Sequence, residues 1–297
     1  MAHYKKKTLM YKSIIVLSMV LLNTGILLDA FVVAKTYQTV DPIEGSTAIS
    51  SSTQATITSD SYKDDNISIK IEPVNENGVV YYVVDIQLSS VEYLQSAFAQ
   101  NAFGKNITQT TSSMATANNA ILAINGDYYG FRDSGLIIRN GVLYRDTPRS
   151  SPDDQALLIH SDGSFSVVEE GSVNGEDLVA SGVLQSLSFG PVLVNEGVIQ
   201  SCTTNFVSVK DNPRTAIGMI APLHYLIVVV DGRTSTSSGM TLKELAQVFV
   251  DRGAVIAYNL DGGGSSTLWF NGNVINNPTD GRSGGERKVS DILFIGV

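Results

Sequence analysis

Ala254-Val255-Ile256-Ala257-Tyr258-Asn259-Leu260-Asp261-Gly262-Gly263-Gly264-Ser265-Ser266-Thr267-Leu268-Trp269-Phe270 places an apolar run, a polar hinge and a second apolar run in direct succession. The two apolar runs read as buried strands. Three consecutive glycines cannot hold a helix and weaken a strand, but they let the backbone pass close to a ligand and turn N–H groups toward it. Asp261, at the end of the first strand, is a candidate acid, base or metal ligand. The same residues also fit a glycine-rich hairpin turn.

Working outward, Leu226-Ile227-Val228-Val229-Val230 is the most apolar strand of the body and ends in Asp231-Gly232-Arg233. Thr241-Leu242-Lys243-Glu244 has the form of a capping box, with Thr241 as N-cap and Glu244 at N3. It opens a helix over Leu242 to Arg252 whose apolar face is Leu242, Leu245, Ala246, Phe249 and Val250, closed by Gly253. Strand, Asp231, loop, helix, strand, Asp261 therefore reads as a βαβ unit. Two parallel neighbours would then put both aspartates at one sheet edge, where ligands collect in open α/β sheets.

Three further clusters follow the same pattern of apolar strand and polar end. Ala120-Ile121-Leu122-Ala123-Ile124 runs into Asn125-Gly126-Asp127-Tyr128-Tyr129-Gly130. Tyrosines beside a carboxylate suit the C–H face and hydroxyls of a sugar ring, and a hairpin with a capping aspartate fits equally. Asn212-Pro213-Arg214-Thr215 fixes the backbone just before an arginine that opens a strand. Such a guanidinium offers a bidentate fork to a carboxylate or phosphate, or forms a surface ion pair. Glu286-Arg287 precedes the last strand, Val289 to Val297. Elsewhere Val79 to Leu88 reads as a central strand, and Tyr93 to Phe103 and Thr108 to Asn119 as helices.

The whole chain has 297 residues, 43% hydrophobic and 16% charged, which describes a globular body with a sizeable core. Its net charge is −9, although residues 1–35 hold five lysines and one aspartate, so the body is more acidic than the total. An acidic body argues against a general nucleic-acid partner, whose phosphates need a basic face. Cys202 is the single cysteine and reads as a small core residue, and the isolated His160 and His224 read as structural.

Lys5, Lys6, Lys7 and Lys12 precede an apolar stretch over residues 13–34. That length is enough to span a bilayer, and the lysines favour a cytoplasmic N-terminus. The segment reads as a single-pass anchor, or as a cleaved signal ending near Val32-Val33-Ala34. Either way the body lies outside the cytoplasm. Residues 35–61, rich in Ser and Thr, read as a flexible linker, and residues 62–297 as one domain. The fold class expected is α+β, a strand-rich single domain with mixed sheets and a few packed helices.

Taken together and in order, Asn125-Gly126-Asp127-Tyr128-Tyr129, Phe189-Gly190-Pro191, Asn212 to Gly218, Asp231-Gly232-Arg233 with Ser238-Gly239-Met240-Thr241, Asn259 to Ser266, and Glu286-Arg287 resemble the phosphodiester glycosidase family. The resemblance covers roughly residues 80–297, and one departure is Asp127, where the family carries a second glycine. It implies a hydrolase acting on a sugar-1-phosphodiester of a cell-surface or exopolysaccharide glycan. Carried over residue by residue, it implies Asp261, Asp231, Asp127 and Glu286 as candidate catalytic carboxylates, with Asp261 first. It implies Asn125, Arg214, Thr215, Ser238, Gly262, Gly263, Gly264, Ser265 and Ser266 as substrate-binding residues, with Arg214 and the glycine-loop N–H groups on the phosphate. No cofactor is required by this reading, and a divalent cation belongs to the alternative of P–O cleavage. A non-catalytic binder of anionic glycans is the other alternative.

Overall fold

A computed structural model describes residues 15–24, 27–29, 32–41, 55–149, 151, 154–201, 209–281 and 284–296. Its frame is a nine-stranded sheet in the order Val198–Ile199, Val192–Asn195, Ile256–Asn259, Arg214–Ala221, His224–Val230, Val79–Leu88, Ile67–Glu76, Ser61–Lys63 and Thr56–Ile57. A five-stranded sheet runs Asn273–Val274, Leu268–Phe270, Leu122–Asn125, Asp291–Ile295 and Leu94–Phe98. A three-stranded sheet (Phe165–Glu169, Gln155–His160, Val183–Leu187) and the hairpin Gly135–Arg139 with Val142–Thr147 complete the body. The strand-rich domain with several sheets and few helices is as expected. The sheets are antiparallel rather than mixed in every strand pairing described.

Both faces of the large sheet are covered, which is why its central strands read as unbroken apolar runs. Along His224–Val230, Tyr225, Ile227 and Val229 enter the main core, while Leu226, Val228 and Val230 pack beneath the helix Leu242–Asp251. That helix begins as its sequence dictates. Glu244 N–H donates to Thr241 Oγ1 at 3.2 Å and Thr241 N–H donates to Glu244 Oε2 at 2.9 Å.

The crossover through this helix differs from the expected βαβ unit in one respect. Strands His224–Val230 and Ile256–Asn259 are parallel to each other but not adjacent, because Arg214–Ala221 lies between them and pairs antiparallel with both. Only Pro222 and Leu223 separate Arg214–Ala221 from His224–Val230, so those two strands close as a hairpin before the helix begins. Arg214 is thereby delivered to the sheet edge that carries Asp231 and Asp261: it faces Val230 in register, and Ala216 faces Asn259.

Two expectations are corrected. Residues 93–103 are not helical; they form strand Leu94–Phe98, a short turn and strand Ala102–Lys105. A strand buried on both faces shows no period-2 alternation, so its residues mimic a helical set. The linker is ordered in part. Lys35–Thr39 pairs with Ala102–Lys105, held further by Tyr37 against Phe103 at 5.9 Å and by Asn106 Nδ2 donating to the Val33 carbonyl at 3.0 Å. Thr56–Ile57 and Ser61–Lys63 extend the large sheet, while Ser46 to Thr53 lie outside the described residues.

The N-terminal segment is described only in part. Among the described residues no helix is long and apolar enough to cross a membrane. Asn23 and Thr24, in the helical run 15–24, turn their side chains back onto the Met19 and Val20 carbonyls, each at 2.8 Å. The lysines at 5, 6, 7 and 12, together with Cys202, lie outside the described residues.

Candidate active site

At the edge where Arg214–Ala221 begins and Ile256–Asn259 ends, a cleft of about 410 Å³ opens. Its lining includes Asp261 and four arginines, Arg132, Arg214, Arg233 and Arg287. Gly262, Gly263, Asn259 and Phe189 also line it. In a chain of net charge −9, four guanidiniums around one carboxylate make a local surplus of positive charge.

Asp261 is half-buried at the end of its strand, and its Oδ2 accepts the Ser265 hydroxyl at 2.6 Å. Arg287 Nη1 reaches Ser265 Oγ at 3.5 Å, and Arg287 Nε donates to Asp280 Oδ1 at 2.8 Å. Burial pushes the Asp261 carboxyl above its usual range, opposed by the Ser265 hydrogen bond and by Arg287. The chain Arg287, Ser265, Asp261 thus orients the carboxylate and favours its ionised form. A Cβ on Gly264 would stand 2.6 Å from Asp280 Oδ1 and 2.7 Å from Arg287 Nη2, so this glycine is needed for the ion pair to close over the loop.

Arg214 is buried at the cleft wall. Its Nε donates to the Met240 carbonyl at 3.0 Å and its Nη2 to the Lys210 carbonyl at 2.8 Å. Burial first, and the neighbouring Arg233 second, push its guanidinium down to about 10. An anion drawn between Arg214 and Arg233 relieves both effects. Arg233 holds left-handed backbone (φ 61°) and donates to Asn212 Oδ1 at 3.1 Å.

The expected site residues separate into three groups. Asp261, Arg214, Gly262 and Gly263 line the cleft. A second group lies directly behind it. Asn125, fully buried, donates from Nδ2 to the Asp261 carbonyl at 2.7 Å and accepts the Thr215 hydroxyl at 2.8 Å and the Thr267 N–H at 3.2 Å. One amide therefore ties the five-stranded sheet to two segments of the large sheet beneath Asp261. Thr215, Gly264, Ser265 and Ser266 are buried in the same layer. Asp231, 5% exposed, accepts the Asn277 N–H at 2.9 Å and Asn276 Nδ2 at 3.1 Å. It fixes the loop that leads to Asp280, and burial pushes its carboxyl up. These residues are not among those that line the cleft.

The third group does not line the cleft. Asp127, 2% exposed, is paired with the equally buried Arg139 at 3.1 Å and accepts the N–H groups of Tyr129 and Ser188 at 3.0 and 2.9 Å. Arg139 also binds Asp291 at 2.7 Å and donates to the Ser186 carbonyl. Burial works to raise Asp127, but Arg139 and the Ser188 N–H outweigh it and hold the carboxyl below its usual value. Glu286 binds the N–H and hydroxyl of Ser112 at the start of helix Thr111–Ala117, as a carboxylate at a helix N-terminus does. Ser238 is exposed on the turn that carries Arg233.

The glycine loop also departs from expectation. The N–H groups of Gly263, Ser265 and Ser266 are committed to the carbonyls of Pro213, Gly262 and Gly263, and that of Gly262 to the Asp261 carboxylate. Arg132, Arg233 and Arg287 are the residues that sequence reasoning missed. Each sits one residue past an aromatic, a glycine or an acid in a polar loop, a signal visible but unspecific. Among the described residues no group of three or more His, Cys, Asp or Glu is placed to hold a metal ion.

Known proteins share this fold. The zebrafish N-acetylglucosamine-1-phosphodiester alpha-N-acetylglucosaminidase catalytic domain, solved auto-inhibited by its pro-peptide, superposes with a TM-score of 0.62 at 22% identity, covering 78% of this chain and 83% of that one. An uncharacterised SPbeta prophage-derived protein of Bacillus subtilis, YomE, is 33% identical over 240 residues, 73% of this chain and 36% of its own length. The bovine N-acetylglucosamine-1-phosphodiester alpha-N-acetylglucosaminidase is 33% identical over 108 residues, 34% of this chain and 20% of the enzyme. The chain thus spans about a third of the Bacillus protein and a fifth of the bovine enzyme. The pattern of the phosphodiester glycosidases matches residues 118–296, the part that builds most of the cleft, and the chain belongs to the phosphodiester glycosidase family.

Proposed function

We propose that this chain hydrolyses the glycosidic bond of a sugar-1-phosphodiester, with Asp261 as the reacting carboxylate and Arg132, Arg214, Arg233 and Arg287 as the phosphate site. The observation that carries the reading is that four arginines share the lining of one cleft with the half-buried Asp261, in an acidic protein. The anomeric C–O bond breaks, and its electron pair leaves on the phosphate oxygen as a phosphomonoester. Guanidiniums already in place meet that charge as it grows, which is the form of stabilisation that costs no reorganisation. A phosphomonoester leaves readily, so the second carboxylate that ordinary glycosidases use as acid is dispensable. Asp261 acts as base toward the attacking water or as nucleophile. The anomer first released distinguishes them, inverted for the base and retained for the nucleophile.

The same proposal places the body outside the cytoplasm, acting on a cell-surface or exopolysaccharide glycan. Its support is the run of lysines before the apolar stretch 13–34, read as a membrane anchor or signal. Hydrolysis of a sugar-1-phosphodiester in labelled water tests the reaction. Label in the released sugar is expected. Label in the phosphate would instead mean metal-assisted P–O cleavage, and binding without product would mean a non-catalytic glycan binder.

A further inference from the structure

We propose that a second cavity, walled by Gln100, Asn101, Gln109 and Lys288, is a carbohydrate site that takes one sugar unit bearing a single anionic group. Only the choice of a sugar phosphate as that unit draws on the phosphodiester reading of the cleft.

The cavity measures about 550 Å³, against about 410 Å³ for the cleft, and shares no lining residue with it. Small-molecule sites span roughly 300–1,000 Å³. Its lining holds one cation, Lys288, and no carboxylate, in a chain of net charge −9. Glu286, the acid two residues earlier, is turned instead to the N–H and hydroxyl of Ser112. Lys288 is exposed and joins no ion pair among the described residues. A lone ammonium on an otherwise neutral wall suits a ligand with one negative group.

The rest of the lining sets amides over an apolar floor. Gln100, Asn101, Gln109 and Asn118 each bring a carboxamide. A carboxamide donates and accepts at once, which matches sugar hydroxyls, since they do both. Phe98 and Met114 also line the cavity, and both are buried, so they meet the C–H face of a ring from below.

The amide wall is held in an unusual shape. Gln100 and Asn101 have left-handed backbone, φ 56° and 52°, a region that non-glycine residues seldom enter. The neighbours fix it: Gln100 N–H donates to Gln109 Oε1 at 3.0 Å, and the Asn101 carbonyl accepts the Val40 N–H at 2.8 Å. Backbone outliers held by their surroundings gather at ligand sites. The first of these bonds also orients Gln109 and leaves its Nε2 hydrogens for a ligand.

One segment joins this cavity to the cleft. Arg287 lines the cleft, and the next residue, Lys288, lines the cavity. Arg287 N–H donates to the Gly264 carbonyl of the glycine loop at 3.3 Å, while Lys288 pairs in register with Thr110. A glycan of repeated sugar-phosphate units therefore meets a cation in each of two cavities, and attachment at two points raises its avidity.

Met114 supplies a reporter that lies outside the cleft lining. The full chain, isotope-labelled at its methionine methyl groups, is titrated with glucose 6-phosphate, glucose and inorganic phosphate. The Met114 methyl resonance, assigned by its loss in Met114→Leu, is expected to shift saturably with glucose 6-phosphate, with Kd about tenfold below that for glucose or phosphate. Lys288→Gln is expected to bring glucose 6-phosphate to the affinity of glucose, about tenfold weaker. Asn101→Gly keeps the left-handed backbone and removes one amide, so it should weaken both sugars alike, by about fivefold. A Met114 resonance that does not move, an unchanged affinity in Lys288→Gln or Asn101→Gly, or inorganic phosphate binding as tightly as glucose 6-phosphate would each overturn the site. Saturation at Met114 in a chain that releases no labelled sugar would overturn the catalytic reading and leave this site standing.

Discussion

The cleft and the buried cluster near it are made of the same two residue types in opposite proportion. In the cleft lining, Arg132, Arg214, Arg233 and Arg287 face the single carboxylate of Asp261. In the cluster, Arg139 alone stands between Asp127 and Asp291, and all three are nearly inaccessible. The open site has more arginines than carboxylates in its lining, which suits a substrate anion. The closed site has an anion to spare, which in a dry core leaves a place for a proton. Burial and pairing, rather than residue type, separate a carboxylate for chemistry from one for architecture.

The largest effect expected on this view is at Asp261. Asp261→Asn keeps the shape and the acceptor for Ser265, and removes the charge. The value of kcat should fall by roughly 10³-fold, within the range measured for loss of a catalytic acid or base, with the melting temperature held or raised. Steady-state kinetics beside a thermal melt checks both halves. Turnover within tenfold of wild type would remove Asp261 from the chemistry.

Arg139 should behave in the opposite way. Arg139→Met strands two carboxylates in the core, and removing one partner of a buried ion pair costs about 3–5 kcal/mol. Urea denaturation should show that loss, while kcat per folded molecule changes only a few-fold because Arg139 does not line the cleft. A kcat as low as that of Asp261→Asn would erase the distinction between the two regions.

This distinction was not legible in the sequence. Asp127 and Asp261 both follow a short apolar strand, and both neighbour glycine and a hydroxyl or aromatic residue. What separates them is Arg139, twelve residues beyond one, and Asp291 at the far end of the chain, brought together by pairing of Leu122–Asn125 with Asp291–Ile295. Local signals did carry local structure: the Thr241 capping box, the Val79–Leu88 strand and the Asn140-Gly141 hairpin turn all formed where their chemistry placed them. Non-local features failed. The strand inserted between the two arms of the crossover has no mark in sequence, because a hairpin leaves the spacing of its neighbours unchanged. Three of the cleft's arginines, Arg132, Arg233 and Arg287, come from separate loops, and none carries a local mark of the others.

The mildest test concerns the spare anion itself. Burial pushes the Asp291 carboxyl up to about 7, against Arg139, which works to lower it, and Asp127, which adds to the rise. In the unfolded chain the group returns to about 3.9. Between those values the folded state binds more protons than the unfolded state, so stability must fall as pH rises. The contribution is fully present below about pH 4 and gone above about pH 7, with a slope of at most about 1.4 kcal/mol per pH unit. Asp127, held low, acts with the opposite sign and only below that window. Asp291→Asn keeps an acceptor for Arg139 and removes the titration. Urea midpoints between pH 5 and 8 should therefore slope downward less in Asp291→Asn than in wild type. Parallel slopes would show that the proton is not held at Asp291, and the cluster would then be a balanced ion pair rather than the anion-rich counterpart of the cleft.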